Sequence, residues 1–213
     1  EVGTDAVILG CGPLGLAAVQ GARIQGAAQI IAVDPVRYRR EVALKVGATV
    51  ALDPNVEGNN LVAKIRQLCQ SRTKALAGGG NTLPDYVLEA AGGDLFPPKV
   101  EVGPDPTGVL VLQQAWQLCS PVGNVVTTGV GHPPGTTISF PAGQWSNSSK
   151  THHPGNVAGA SSLRDLPRFV RLIEAGLFNA KALATSTYPL ERTRDAFQAV
   201  ADRTTVAAVV VFT

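Results

Sequence analysis

The stretch Val7-Ile8-Leu9-Gly10-Cys11-Gly12-Pro13-Leu14-Gly15-Leu16, followed by Ile30-Ile31-Ala32-Val33-Asp34, constrains the fold of this 213-residue chain more than any other. A short apolar run of this kind reads as a buried parallel strand, and the Ala-rich segment from about Pro13 to Ile24 reads as a helix. The three glycines between them stand at G-x-G-x-x-G spacing. Gly10 allows a tight turn, Gly12 lets the backbone approach a diphosphate, and Gly15 lets the helix pack closely on the strand. Pro13 falls in the first helical turn, where no N–H is needed. The free N–H groups of that turn and the positive end of the helix dipole suit an anionic ligand. Asp34 closes the second strand where its carboxylate accepts both hydroxyls of an adenosine ribose. The pattern therefore predicts a dinucleotide site that prefers NAD to NADP, whose extra phosphate a carboxylate repels. A glycine turn without a ligand, and an FAD or S-adenosylmethionine site, are the alternatives that these residues leave open.

Charge and cysteine usage narrow the class. A formal net charge of +2 gives no support to nucleic-acid binding, and the one basic cluster, Arg37, Arg39 and Arg40, suits an adenosine neighbourhood or a solvated helix face. No apolar run approaches the length of a membrane span. The first residues lead directly into a core strand without a signal peptide, as expected of a piece cut from a longer protein. Cys11, Cys69 and Cys119 are odd in number and form no C-x-x-C pair, so neither a disulfide framework nor a cysteine zinc site is legible. The cytoplasm is the expected compartment. Cys11, inside the glycine turn, reads as a small filler.

Strand and helix alternate through the first half: a helix over 39–46 ending at Gly47, a strand over 49–52, a helix over 61–69, a glycine-rich loop over 77–82 and a strand over 85–89. Ala90-Ala91-Gly92-Gly93 lies at the carboxyl end of that last strand, where doubly wound sheets bind ligands. Residues 94–107 are proline-rich and aperiodic and read as a surface insertion. A helix over 109–118 follows, with Leu110, Gln114 and Leu118 on one face, then a strand within 122–130. Thr136–Phe140 alternates like a short edge strand, and the polar segment 146–159 reads as loop. Ser162-Leu163-Arg164-Asp165 reads as a capping box for a helix over 166–175. Strands over 183–188 and 206–212, with a helix over 192–201 between them, close the chain.

The order of the glycine turn, Val33-Asp34, Pro84-Asp85-Tyr86-Val87-Leu88-Glu89-Ala90-Ala91-Gly92, Gly123-Asn124-Val125-Val126-Thr127-Thr128-Gly129-Val130 and Ala196-Phe197 before Val209-Val210-Val211-Phe212 resembles zinc-type medium-chain alcohol dehydrogenases. The resemblance covers nearly the whole chain and is broken by the 94–107 insertion and the loop near 77–82. It implies an α/β fold: a Rossmann-type doubly wound parallel sheet over 1–183, with 184–213 as a segment returning to a GroES-like catalytic domain. In the family that domain comes first and carries the zinc ligands, so the resemblance implies a zinc enzyme of which this chain is the cofactor-binding portion, inactive alone. The implied reaction is hydride transfer between an alcohol or aldehyde and NAD. By position, Gly10, Gly12, Pro13, Leu14, Gly15 and Asp34 match the cofactor residues, Arg39 stands beside the adenosine, and Ala90, Ala91, Thr128, Val130, Gly155 and Val157 line the dinucleotide path. Relatives often carry a diphosphate-neutralising arginine in the closing strand, and Ala207 takes that place here.

His152 and His153 would point to opposite faces of a strand and read as loop residues rather than ligands of one metal ion, as does His132. Neither a catalytic residue nor a metal ligand is assigned. Two further readings stay open: a non-catalytic NAD-binding sensor module, and a zinc-free quinone or enoyl reductase of the same superfamily, which Asp34 disfavours because such reductases usually use NADPH. The resemblance also implies a homodimer joined through Thr136–Phe140, with neither a nucleic acid nor a membrane as partner.

Overall fold

In strand β1 (Asp5–Leu9) all five residues are buried, and their side chains alternate between two cores. Val7 and Leu9 join one core and Ile8 the other. The computed structural model describes residues 2–69, 83–94, 100–155 and 161–212. Within them, β1 pairs in parallel with β2 (Gln29–Val33) on one side and β4 (Tyr86–Glu89) on the other, so that Val7 stands opposite both Ile31 and Val87. Adding β3 (Val50–Leu52), β5 (Asn124–Thr127) and β6 (Thr151–Pro154) completes a six-stranded parallel sheet in the order β3-β2-β1-β4-β5-β6.

Two helical layers cover this sheet, as all-parallel pairing requires. On one face α1 (Pro13–Ile24) and α2 (Arg37–Val46) place Leu16, Val19, Ala43 and Val46 against Ile8, Ile30 and Ala32. On the other, α4 (Leu61–Leu68) and α5 (Val109–Leu118) place Leu61, Ile65, Ala115 and Leu118 against Val7, Leu9, Ile31, Val33, Val87 and Val125. Each fully buried Leu or Ile contributes on the order of 1.5–3 kcal/mol. The short helix α3 (Pro54–Glu57) is capped by Asp53, whose carboxylate accepts the Asn55 N–H at 2.9 Å. This is the α/β doubly wound arrangement. The chain winds outward in opposite directions from the β1/β4 pair, which leaves a crevice at the carboxyl ends of those strands.

The C-terminal residues form a separate two-stranded parallel sheet, β7 (Ala184–Pro189) with β8 (Ala207–Val211), joined through α8 (Thr193–Ala201). It is anchored to the larger unit by Val206, which is buried in the core with Ile8 and Leu16, and by Leu183 packed beside it.

Several sequence expectations are corrected. Residues 136–140 are not a strand, and the short helix α6 (Ala142–Ser146) follows them. The two apolar residues do not share a face: Phe140 turns inward to Trp116, at a ring-centroid distance of 5.3 Å, while Ile138 stays exposed, and among the described residues no strand ladders with this backbone. The outermost strand is β6, so His152 and His153 lie in a strand rather than a loop. Helix α7 (Ser162–Glu174) begins four residues earlier than the pattern suggested. Ser161 is its N-cap and makes no side-chain cap bond, while the Asp165 carboxylate accepts the Ser161 N–H at 2.9 Å, so only one half of the expected reciprocal box forms. Helix α5 buries Ala115, Trp116 and Leu118, whereas Leu110 and Gln114 are only half-buried. The glycine-rich loop over 77–82 lies outside the described residues. The 94–107 insertion is not merely peripheral. The Asp94 N–H bonds the Pro106 carbonyl at 2.7 Å, and Asn55 Nδ2 holds the Val102 carbonyl at 2.8 Å, which brings residues 102–106 over the crevice.

Candidate functional site

The crevice at the ends of β1, β2 and β4 holds about 790 Å³ of atom-free space, open solvent included. Its floor is Gly10, Gly12 and Val33, and one wall is Ala90, Ala91 and Gly92 from the turn after β4. Gly103, Pro104 and Asp105 of the insertion, with Val111 and Gln114 of α5, close it from above; Asp34, Asp94, Asp105, Arg39 and Arg203 supply its charges.

The glycines occupy this turn for distinct steric reasons. Gly10 has φ +96°, and a Cβ there would overlap the Ala90–Ala91 peptide. A Cβ on Gly15 would overlap the Gly10 carbonyl, so this glycine lets α1 seat against β1. A Cβ on Gly12 meets nothing within 4 Å: the requirement there is for open space rather than for close packing. With Gly12 as N-cap and Pro13 in the first turn, α1 presents its leading N–H groups without a side-chain cap. Pro13 and Leu14 are exposed at this helix start, and Leu16 N–H takes the Gly12 carbonyl at 2.9 Å.

Asp34 is 4 % exposed, and each of its carboxylate oxygens is held by one backbone donor at 2.7 Å: Oδ2 by Cys11 N–H and Oδ1 by Val36 N–H. These bonds orient the carboxylate and leave each oxygen with acceptor capacity. Burial pushes its pKa above the ordinary carboxylate value; the Cys11 and Val36 N–H bonds and Arg39 act in the opposite direction but do not outweigh it. The three arginines of α2 have separate roles. Arg37 is exposed and pairs with Glu41 at 3.1 Å; Arg40 donates to the Asp34 and Pro35 carbonyls at 2.7 Å and pairs with Asp53 at 2.9 Å, which fixes the turn after β2. Arg39 lines the crevice and donates to the Thr205 carbonyl at 3.1 Å, linking it to the C-terminal segment.

Arg203 comes from the turn after α8, with a left-handed φ of 56° that non-glycine residues seldom adopt. Its guanidinium pairs with Asp94 and donates to the Glu101 carbonyl at 3.1 Å. The crevice thus contains a cation from the C-terminal segment although position 207 is alanine.

Of the residues singled out by sequence, Gly10, Gly12, Asp34, Arg39, Ala90 and Ala91 line this crevice together. Thr128 and Val130 lie beside it, on the turn after β5. That turn meets the turn after β4 through the Thr128 N–H to Glu89 carbonyl bond at 2.7 Å and the Gly93 N–H to Val130 carbonyl bond at 3.0 Å. Gly155 follows β6, its N–H on the Thr127 carbonyl at 2.8 Å, and is not among the crevice residues. Val157 lies outside the described residues. Sequence reasoning missed Arg203 and Glu89. Glu89 carried a legible signal, an acid ending an apolar strand; Arg203 carried none, because its position depends on a backbone turn and a partner 109 residues away.

Among the described residues no group of three or more His, Cys, Asp or Glu side chains is placed to hold a metal ion. His152 Nε2 lies 3.0 Å from Thr127 Oγ1, and His153 Nε2 lies 3.0 Å from Asn124 Oδ1, so the two rings engage different partners. The three cysteines are buried and, among the described residues, form no disulfide. Zinc therefore does not fit the donor sets described here. No helix among the described residues is long and apolar enough to cross a membrane.

A family model described as zinc-binding dehydrogenase matches residues 13–174. The NDMA-dependent alcohol dehydrogenase of Amycolatopsis methanolica is 29 % identical over 212 residues, covering 99 % of this chain and 50 % of that protein. The crystal structure of an alcohol dehydrogenase zinc-binding domain protein from Burkholderia ambifaria superposes with a TM-score of 0.77 at 26 % identity, over 99 % of this chain and 49 % of the other. A zinc-binding dehydrogenase from Sinorhizobium meliloti 1021 bound to NADP shares the fold with a TM-score of 0.72 at 23 % identity, over 99 % of this chain and 53 % of that one. The chain thus spans about half the length of the relatives it matches.

Proposed function

The chain belongs to the zinc-binding dehydrogenase family, and we propose that it is the NAD-binding portion of an alcohol or aldehyde dehydrogenase, serving hydride transfer between an alcohol and NAD+. The observation that carries the choice of NAD is Asp34: a buried carboxylate at the crevice, oriented by two backbone N–H groups, with acceptor capacity left for a ribose diol. Gly12 leaves space for a diphosphate at the start of α1, where unpaired N–H groups and the helix dipole favour negative charge. Arg203 and Arg39 supply the positive charge that position 207 does not. The remaining half of the dinucleotide would extend past Ala91 towards Thr128 and Val130, on the β4/β5 side of the sheet. When bound, the cofactor supplies the carbon that accepts or donates hydride. The residues of this chain bind it, orient it and shield its adenosine beneath 103–105.

In this reading residues 1–183 are the cofactor domain and 184–213 a segment that completes a neighbouring domain. Zinc and the alcohol-binding groups are assigned to the half of such proteins that this chain does not match. A homodimer and a cytoplasmic location belong to the same reading by resemblance. Light scattering tests the dimer. Isothermal titration calorimetry with NAD+ and NADP+ tests the site, with tighter NAD+ binding expected; equal affinity or a preference for NADP+ overturns the role of Asp34. The chain supplied with zinc, NAD+ and ethanol is expected to produce no NADH, and zinc-dependent turnover would overturn the division of labour.

A further inference from the structure

Glu89 ends β4 with its side chain fully buried, and among the described residues it makes no ion pair. Its carboxylate instead gathers backbone donors from two turns. Oε1 accepts the N–H groups of Ala91 and Gly92 at 2.8 Å each, and Oε2 accepts that of Gly129 at 3.2 Å. Its backbone carbonyl takes the Thr128 N–H at 2.7 Å and the Thr128 hydroxyl at 3.1 Å. A buried carboxylate without a cation is costly unless its lone pairs are filled, and here the donors that fill them belong to the turns after β4 and β5. The sequence around it is adapted to this bond set. A Cβ on Gly129 would overlap the Glu89 carboxylate, and one on Gly92 would overlap the Val130 backbone.

We infer that Glu89 is a positioning residue whose carboxylate sets the spacing between the 90–93 and 128–131 turns and so shapes the nicotinamide half of the cofactor site. The inference rests on the proposed dinucleotide reading, which puts adenosine at Asp34, diphosphate at Gly12 and nicotinamide on the β4/β5 side. Through Ala91 and Gly92 it borders the crevice, but its bonds reach neither Asp34 nor Gly12 and extend instead to the turn after β5, so the larger effect falls on the nicotinamide half of the ligand. Gln in its place keeps the shape but presents an NH2 where one oxygen met an N–H, which forces the two turns to shift against each other.

The test compares two probes on the chain: AMP, which fills the adenosine half alone, and NADH, followed by its fluorescence. Glu89→Gln is expected to weaken NADH by about tenfold or more, as small displacements of positioning groups do, with AMP affinity held within about twofold. Glu89→Asp keeps the charge and is expected to recover part of the NADH affinity. Should Glu89→Gln fail to fold, Gly129→Ala perturbs the same clamp from the other side and carries the same expected split. Unchanged NADH affinity, or AMP and NADH weakening together, overturns the positioning role. An unsubstituted chain that binds neither nucleotide overturns the dinucleotide reading, and the positioning role with it.

Discussion

Asp34→Asn separates the two tasks assigned to this carboxylate. The substitution retains one acceptor oxygen and puts an NH2 where the other stood, facing a backbone N–H at 2.7 Å, from either Cys11 or Val36. An unpaired buried N–H costs roughly 1–3 kcal/mol. Removing the buried charge offsets part of that, since burial already holds the Asp34 pKa above its ordinary value. The net loss is about 1–2 kcal/mol, which for a chain of this size lowers the melting temperature by roughly 2–8 °C. The effect on the cofactor is larger. Losing a charge-assisted bond to the ribose diol costs about 1.5–3 kcal/mol, or roughly 10- to 100-fold in NAD+ affinity. NADP+ gains relief from repulsion and loses less, so the ratio of the two affinities moves towards one. Calorimetry for both nucleotides and circular dichroism on heating read these quantities separately. The reasoning is refuted by a variant that keeps its NAD+ affinity, or by one that loses NAD+ and NADP+ equally. The pH dependence adds a second check. Because the folded pKa is raised, the contribution of Asp34 to stability is fullest below its ordinary value and is lost as pH rises through the folded value; NAD+ affinity moves oppositely and falls as acid protonates the acceptor. Asp34→Asn should remove this component of the affinity profile.

The two glycines of the turn should respond differently. Gly12→Val has open space around its Cβ and is expected to fold while losing NAD+ binding, whereas Gly15→Val drives its side chain into the Gly10 carbonyl and is expected to fall in melting temperature as well. If Gly12→Val binds NAD+ normally by calorimetry, the diphosphate is elsewhere. Arg203→Ala, measured by NADH fluorescence titration, should weaken binding by about tenfold at low salt, the loss shrinking as salt screens the site; an unchanged affinity removes Arg203 from the site. Cys11, Cys69 and Cys119 are buried, and desolvation pushes the Cys119 thiol up to about 11. Ellman's reagent at pH 8 should therefore label none of them until denaturant is added, and rapid labelling of the native chain would contradict their burial.

The sequence alone determined the parts of this protein whose physics is local. Strand β1, helix α1 and strand β2 were legible because a glycine turn between a buried apolar run and an Ala-rich helix admits few other conformations, and the burial of Asp5–Leu9 agrees with it. Gly10 and Gly12 were legible as turn residues for the same reason, their spacing along the chain being their spacing in the turn, and Asp34 as the acid that follows β2. What the tertiary structure decided depends on groups distant in sequence. Residues 136–140 alternate as a strand does, but a strand also needs a partner, and the partner edge of β5 went to Thr151–Pro154. The insertion closes over the crevice because Asn55 and Arg203 hold its backbone, and neither bond is implied by its own residues. Arg203 brings a second cation to the crevice because α8 ends in a left-handed turn, and Glu89 joins two turns because parallel pairing brings the ends of β4 and β5 side by side. Spacing along the chain carries no information about such meetings, since they exist only once the sheet has formed.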